Sequence, residues 1–248
     1  PELALQKVDL LLRNGNWHHH MRLDATPPED WGDRFTVVGQ FRAPLLHVRD
    51  GNWKHWSGQV YAHFARVDAS RLRHYADVGV EVAQGRGALR AWADVQRGQL
   101  VGGTADLALA DVNTTLGPKL QALVLPTIQG RLGGRRLSGG FEFTTQSLQF
   151  QTDDGLIWPG GNLRLIYTAA AGKAPAQGEF RADRLDLAAL AQIASRLPLG
   201  TTAHDALRTY TPQGLVDEIQ ATWKGPLDQP QQYQARGRIR GLAIAGEA

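Results

Sequence analysis

The 248-residue chain has no cysteine and a single methionine. Disulfides, thiol catalysis and cysteine-ligated metal sites are therefore excluded, although the absence fits many bacterial envelope proteins without fixing a compartment. No run of about 18 apolar residues occurs, so no stretch reads as a membrane-spanning helix. There is no charged tail. The 27 Lys and Arg against 24 Asp and Glu leave a net charge of +3, with arginine spread along the chain. That pattern describes a solvated surface, and no nucleic-acid partner is expected. An initiator methionine and a signal peptide are also missing, and Leu3 already lies in a strand pattern. The expectation is an interior section of a longer protein, with its targeting information outside it.

What is present points to strands. The 28 glycines and a hydrophobic fraction of 42% suit a β-rich chain with many turns and a modest core. Residues 3–13 and 17–25 read as strands joined by an Asn14–Gly15–Asn16 turn. Residues 34–43 alternate, with Phe35, Val37, Gly39 and Phe41 on one face, and Asp50–Gly51–Asn52 marks another turn. Further strands are expected at 56–68, 87–96, 99–113, 128–133, 137–145, 147–153, 157–169 and 177–182, divided by Gly133–Gly134 and by Gln146. Residues 116–125 fit a short helix or an irregular apolar segment. In the last strand, at 233–244, Arg236, Arg238 and Arg240 share a face.

The clearest helix is LAALAQIASRL at 187–197, with Asp186 as N-cap and Leu187, Leu190, Ile193, Ala194 and Leu197 on one face. Pro198 ends it. A second short helix is expected at 201–209. After Pro212 and Gly214, a strand carries Leu215, Asp217, Ile219, Ala221 and Trp223 on one face. A weaker copy of this plan occupies 64–92, where a strand ends at Asp68, a short helix carries Leu72 and Tyr75, and glycines 85 and 87 open a strand reaching Trp92. The two copies suggest repeat units at 56–96 and 178–225. Connections this short favour antiparallel pairing. The expected fold is mainly β: one elongated, curved antiparallel sheet, a β-groove, with two or three short helices at its edge. Many strands offer only one modestly apolar face, which suits a half-filled trough better than two interdigitating layers.

Motifs for chemistry are scarce. His18 and His20 share a strand face, but no third ligand at regular spacing follows, so the three consecutive histidines read as polar strand rather than metal site. GRLGGRRLSGG at 130–140 lacks the Gly-Lys-Ser/Thr ending of a phosphate loop and reads as a glycine-rich hairpin. Its Arg131, Arg135 and Arg136 read first as keeping a turn soluble and second as meeting a lipid head group or a phosphate. The serines lack a nucleophile-elbow context. Asp153–Asp154 precedes Gly155 in a turn, and nothing singles out carboxylate pairs such as Asp24 with Glu29. Neither a catalytic residue nor a cofactor or metal is expected. Trp17, Trp31, Trp53, Trp56, Trp92, Trp158 and Trp223 lie mostly at strand ends. They read first as caps on an apolar layer and second as the rim of a lipid-holding groove.

Several short motifs occur in a set order: W-x-G-x-V-Y at 56–61, V-D-A-x-x-L at 67–72, G-x-G-x-L-R-x-W at 85–92 and A-D-x-L-D-L-x-x-L at 182–190. L-P-L at 197–199, P-x-G-L at 212–215 and T-W-x-G at 222–225 follow. Together the chain resembles the AsmA-like superfamily, specifically its long YhdP-type members of the Gram-negative envelope. The resemblance implies the periplasmic part of a protein anchored in the inner membrane by one helix, forming a β-groove related to chorein-type lipid-transfer proteins. It implies phospholipid as the cargo, moved between inner and outer membranes that are reached through regions outside this chain. The implied role is non-enzymatic, with residues 1–248 expected to be one section of a longer repeating groove. Expected lining positions are Phe35, Val37, Phe41, Leu107, Leu109, Phe141, Phe143, Leu163, Leu165 and Ile219. An alternative is a scaffold β-domain that binds envelope protein partners through its strand edges. A glycan-cleaving enzyme would need a pair of carboxylates across a cleft, to which the sequence does not point.

Overall fold

The computed structural model describes residues 4–44, 53–72 and 81–245. The 50–52 turn, Leu3, the Leu72 side chain and Tyr75 lie outside the described residues. Thirteen strands form one antiparallel sheet in which neighbours in sequence are neighbours in space. They are β1 (Gln6–Asn14), β2 (His18–Thr26), β3 (Phe35–Arg42), β4 (Ser57–Asp68), β5 (Glu81–Gln96), β6 (Gln99–Thr115) and β7 (Leu123–Leu137). Then come β8 (Gly140–Gln151), β9 (Ile157–Trp158), β10 (Leu163–Thr168), β11 (Gln177–Asp186), β12 (Gln213–Lys224) and β13 (Gln232–Ala243). β9 pairs only with β8, and the sheet continues from β8 to β10. At ordinary strand spacing, β1 to β13 extends about 50 Å.

Among the described residues no second sheet covers this one, and the surface area shows it. A compact chain of this mass exposes about 10,800 Å². This one exposes 15969 Å². The sheet is open and curved, as the sparse apolar alternation implies.

Because the topology is sequential, every other connection falls at the same end of the sheet. One end carries tight links, including two-residue turns at 97–98 and 138–139 and the bend at 15–17. The other carries α1 (Ala69–Leu72), residues 116–122 and α2 (Leu187–Ile193), which continues as a 3-10 turn at Ala194–Arg196. These are called the hairpin rim and the helical rim below. At the helical rim Asp68 accepts hydrogen bonds from the Ser70 N–H and hydroxyl, and Asp186 accepts one from the Ala189 N–H at 3.0 Å. Each aspartate thus caps a helix start whose N–H groups otherwise lack partners.

After Arg196 the chain leaves this rim. Gly200 abuts the backbone of Leu227 and Asp228, in the β12–β13 connection, with no space for a Cβ. α3 (Thr201–Tyr210) then returns, and its Tyr210 carbonyl accepts from the Ala245 N–H just past β13. Residues 197–200 therefore lead from the turn after α2 to the β12–β13 connection.

Three expectations need correction. Gly133–Gly134 does not divide two strands but lies inside β7, and residues 138–139 make the turn. A Cβ at Gly133 would stand 2.5 Å from the Thr144 hydroxyl, so the glycine serves close strand approach. Residues 116–125 are neither helix nor loop throughout, since β7 begins at Leu123. Finally, Asp217 does not share a face with Ile219. Glu218 has φ 54°, and the register shifts between Asp217 and Gln220. This β-bulge puts Val216 on the face of Ile219 instead.

Candidate functional site

Cross-strand partners share a face, so the register sorts every strand residue to one side of the sheet. One row runs Leu10, Leu23, Val37, Ala62, Ala91, Ala105, Leu132, Thr145, Leu163, Ala182 and Ile219. The next row towards the hairpin rim runs Leu12, Met21, Gly39, Val60, Ala93, Gly103, Gly134, Phe143, Leu165, Phe180, Ala221 and Ala235. It crosses twelve strands without a polar side chain. All ten residues expected to line a groove fall on this apolar face. Met21, Val60, Leu89, Leu132 and Phe180 belong there too, and only their pairing reveals it.

The opposite face is ionic. Asp106 is gripped by Arg131 at 2.5 and 2.9 Å and approached by Arg90 at 3.3 Å. Glu142 bridges Arg164 at 2.7 Å and Arg135 at 2.6 Å. Asp24 binds Arg22 and Thr36, and these hydrogen bonds, the Arg22 one foremost, hold its carboxyl down to about 2. The Arg131 hydrogen bond lowers Asp106 likewise, and that of Arg164 lowers Glu142. These carboxylates are ionised ion-pair partners, and Asp24 is no proton donor near neutral pH. Asp154, lowered by its bonds to Thr152 and Arg196, ties β8 to the turn after α2. Trp92, with Tyr61 5.3 Å away and Arg131 5.5 Å over its ring, lies on this polar side, whereas its counterpart Trp223 lies on the apolar side.

The apolar face has two halves. Near the helical rim it is sealed: Val112, Leu123 and Leu125 form one buried cluster, and Leu156, Ala189 and Ile193 another. Phe150 packs against both, stacked 5.6 Å from Trp158, and Leu109 packs on the first. Ile193 is 1% exposed. Nearer the hairpin rim the face is uncovered. Phe141 and Phe143 are each 38% exposed, and none of the ten expected lining residues is buried.

The hairpin rim is edged with aromatic rings. Phe141 and Tyr167 lie 5.8 Å apart, the Trp223 ring lies against Gly178, and Tyr233 is opposite Trp223. On the β1–β4 side His19 stacks on Trp56 at 3.7 Å, beside Phe41, and its Nδ1 meets Asn14. Burial lowers the His19 pKa, and neighbouring His18 adds to the effect. His19 is thus a buried aromatic of the apolar face rather than part of a polar strand, while His18 and His20 are exposed. Among the described residues no three His, Asp or Glu side chains gather as a metal site, and no helix is long and apolar enough to cross a membrane.

The family model described as YhdP protein matches residues 2–247. The chain belongs to the YhdP family. This is an AsmA-like family of the cell envelope, associated with lipid transport. No curated protein and no solved structure matches the chain.

Proposed function

We propose that this YhdP-family chain is a non-enzymatic section of a periplasmic conduit that holds phospholipid acyl chains on its open apolar face. The observation that carries this is the twelve-strand row without a polar side chain, left uncovered in a sheet whose other face is laddered with ion pairs. Each methylene taken from water onto such a surface contributes about 0.8 kcal/mol, so a partly covered chain is retained without a specific polar contact. The rows run across the strands, so a lipid can pass from strand to strand over similar surface and needs no discrete pocket. Membranes at either end would be reached through other parts of the protein, and units 56–96 and 178–225 would be repeats of the conduit.

The test is native mass spectrometry of the chain purified gently from a bacterial periplasm, before and after lipid extraction. Co-purifying phospholipid is expected, and Leu165→Glu should lower occupancy about tenfold or more, since an unpaired charge on the floor must stay hydrated. Unchanged far-UV circular dichroism controls for folding. A second reading is favoured by one observation: β1 and β13 are exposed along their whole length and each has one unpaired edge. A scaffold that adds a partner strand at those edges predicts a folded, lipid-free protein. Absence of lipid from the wild-type chain would move the assignment there.

A further inference from the structure

The two rims differ in charge as well as in connection length. Six links lie at the hairpin rim, and each carries a basic residue in the turn or at the adjoining strand end. They are Arg13, Arg42, Arg97, Arg136, Lys173 and Lys224. All six are exposed, and none forms an ion pair among the described residues. Within these six links Asp228 is the one described carboxylate. The helical rim is different. Among its described residues several acids are engaged: Asp30 with Arg71, Asp33 with Arg66, Asp154 with Arg196, and Asp68 and Asp186 as helix caps.

Sheet geometry sets the spacing of these cations. Successive hairpins at one rim are two strands apart, about 10 Å. Arg13, Arg42 and Lys224 pair with His20, His18 and Gln177 and so fall on the ionic side. Arg97 and Lys173 lie in turns and Arg136 on the apolar side, so three successive links place a regular line of cations beside the uncovered half of the apolar face. The tyrosine and tryptophan rings of the same rim, each with an apolar body and a polar tip, separate that line from the floor. Arg136 shows the arrangement most directly, being the cross-strand partner of Phe141, whose own partner is Tyr167.

We propose that the hairpin rim is a head-group rail, on which Arg97, Arg136 and Lys173 hold the phosphodiesters of lipids whose acyl chains rest on the open floor. This rests on the conduit reading and adds to it an orientation and a substrate class. Heads ride at the hairpin rim and not at the helical rim, and an anionic phospholipid is preferred over a neutral lipid with the same chains. A cation on three successive hairpins lets a head group pass to the next site as the chains slide between strands. Exposed cations bind weakly and are screened by salt, as a surface for moving cargo requires.

The test compares dioleoyl phosphatidylglycerol with dioleoylglycerol, which lacks the phosphate. Each is delivered from detergent to the full chain and counted by native mass spectrometry. The wild-type chain should retain both and favour phosphatidylglycerol. A variant combining Arg97→Gln, Arg136→Gln and Lys173→Gln should keep dioleoylglycerol at wild-type level. Its preference for phosphatidylglycerol should fall about fivefold, and high salt should reduce the wild-type preference in the same way. An unchanged preference in the folded variant overturns the rail and leaves the conduit standing. Loss of both lipids in the folded variant also overturns it, because the basic residues would then be serving the floor. Displacement of phosphatidylglycerol by excess inorganic phosphate would overturn the assignment to lipid heads in favour of a free-anion site. A wild-type chain that retains neither lipid removes the conduit reading and the rail together.

Discussion

Phe143 and Phe150 lie on the same strand and the same face, yet they have different work. Phe150 is stacked on Trp158 beneath α2, within contact of both buried clusters. Phe143 is 38% exposed, with Leu165 as its cross-strand partner. The residue type is the same and the backbone is continuous. What differs is the layer above: a helix and its connections in one case, open space in the other. The sealed half stabilises the sheet, and this is what lets the other half stay open.

The largest test of that division is truncation in both halves. Ile193→Ala removes a side chain that is 1% exposed against Leu156, and such core truncations cost about 2–5 kcal/mol. Phe143→Ala removes a larger side chain from the open floor and should change stability by only about 1 kcal/mol or less. Urea denaturation measures both. Lipid retention should respond in the reverse order, with Phe143→Ala the more damaging variant. Equal stability losses would mean that the floor is covered in solution and that the two halves are one core.

A smaller effect is expected at the boundary. Seven residues separate Phe143 from Phe150, an odd number, so simple alternation would put them on opposite faces. Ser147, at φ 48°, restores the phase, with a register shift in the facing segment of β7. Asp111 at φ 54° does the same between Leu109 and Val112, and Glu218 at φ 54° between Val216 and Ile219. A β-branched residue resists this left-handed conformation. Ser147→Val should therefore destabilise by about 1–2 kcal/mol, whereas Ser147→Gly should be neutral or slightly stabilising. If valine is tolerated without loss, the bulge is not what joins the two halves.

These bulges also mark how far the sequence alone could be read. The open half was legible: alternation in residues 34–43 and 137–145 identified Phe35, Val37, Phe41, Phe141 and Phe143, and all share the observed apolar face. Asp186 as N-cap and Pro198 as helix stop follow from local chemistry and are found as expected. The antiparallel order followed from short connections. What was not legible depended on contacts distant in sequence. Asp217 was assigned the face of Ile219 because nothing in LVDEIQATW signals a bulge at Glu218. Gly133–Gly134 looked like a turn because the close approach of Thr144 is set by the neighbouring strand. The polar middle residue of three histidines is buried because Trp56 stacks on it, and Trp92 and Trp223 fall on opposite faces although the sequence motifs around them look alike. Composition gave the fold class, but the distinction between sealed and open floor required knowing where the helices lie.

The smallest expected effect belongs to the polar face, where many ion pairs contribute little individually. Glu142→Gln keeps the shape of the side chain between Arg135 and Arg164 but removes its charge. Since both arginines are about half exposed, the change should lie within about 1 kcal/mol. Acid should reveal the pairs collectively. Asp24 has an ordinary value of 3.8 and is held down to about 2, so the folded chain binds fewer protons than the unfolded chain between these values. Its stabilisation is therefore complete above the ordinary value and is lost as pH falls through about 2, with Asp106 and Glu142 shifted in the same direction. Urea midpoints measured downward from neutral pH should decline in that acid window, and Asp24→Asn should flatten the decline. Neither change should alter lipid retention at neutral pH, because these pairs lie on the face of the sheet opposite the apolar one. A neutral-pH loss of lipid on breaking them would mean that the ionic face also sets the curvature of the floor, and the two faces would then be mechanically coupled.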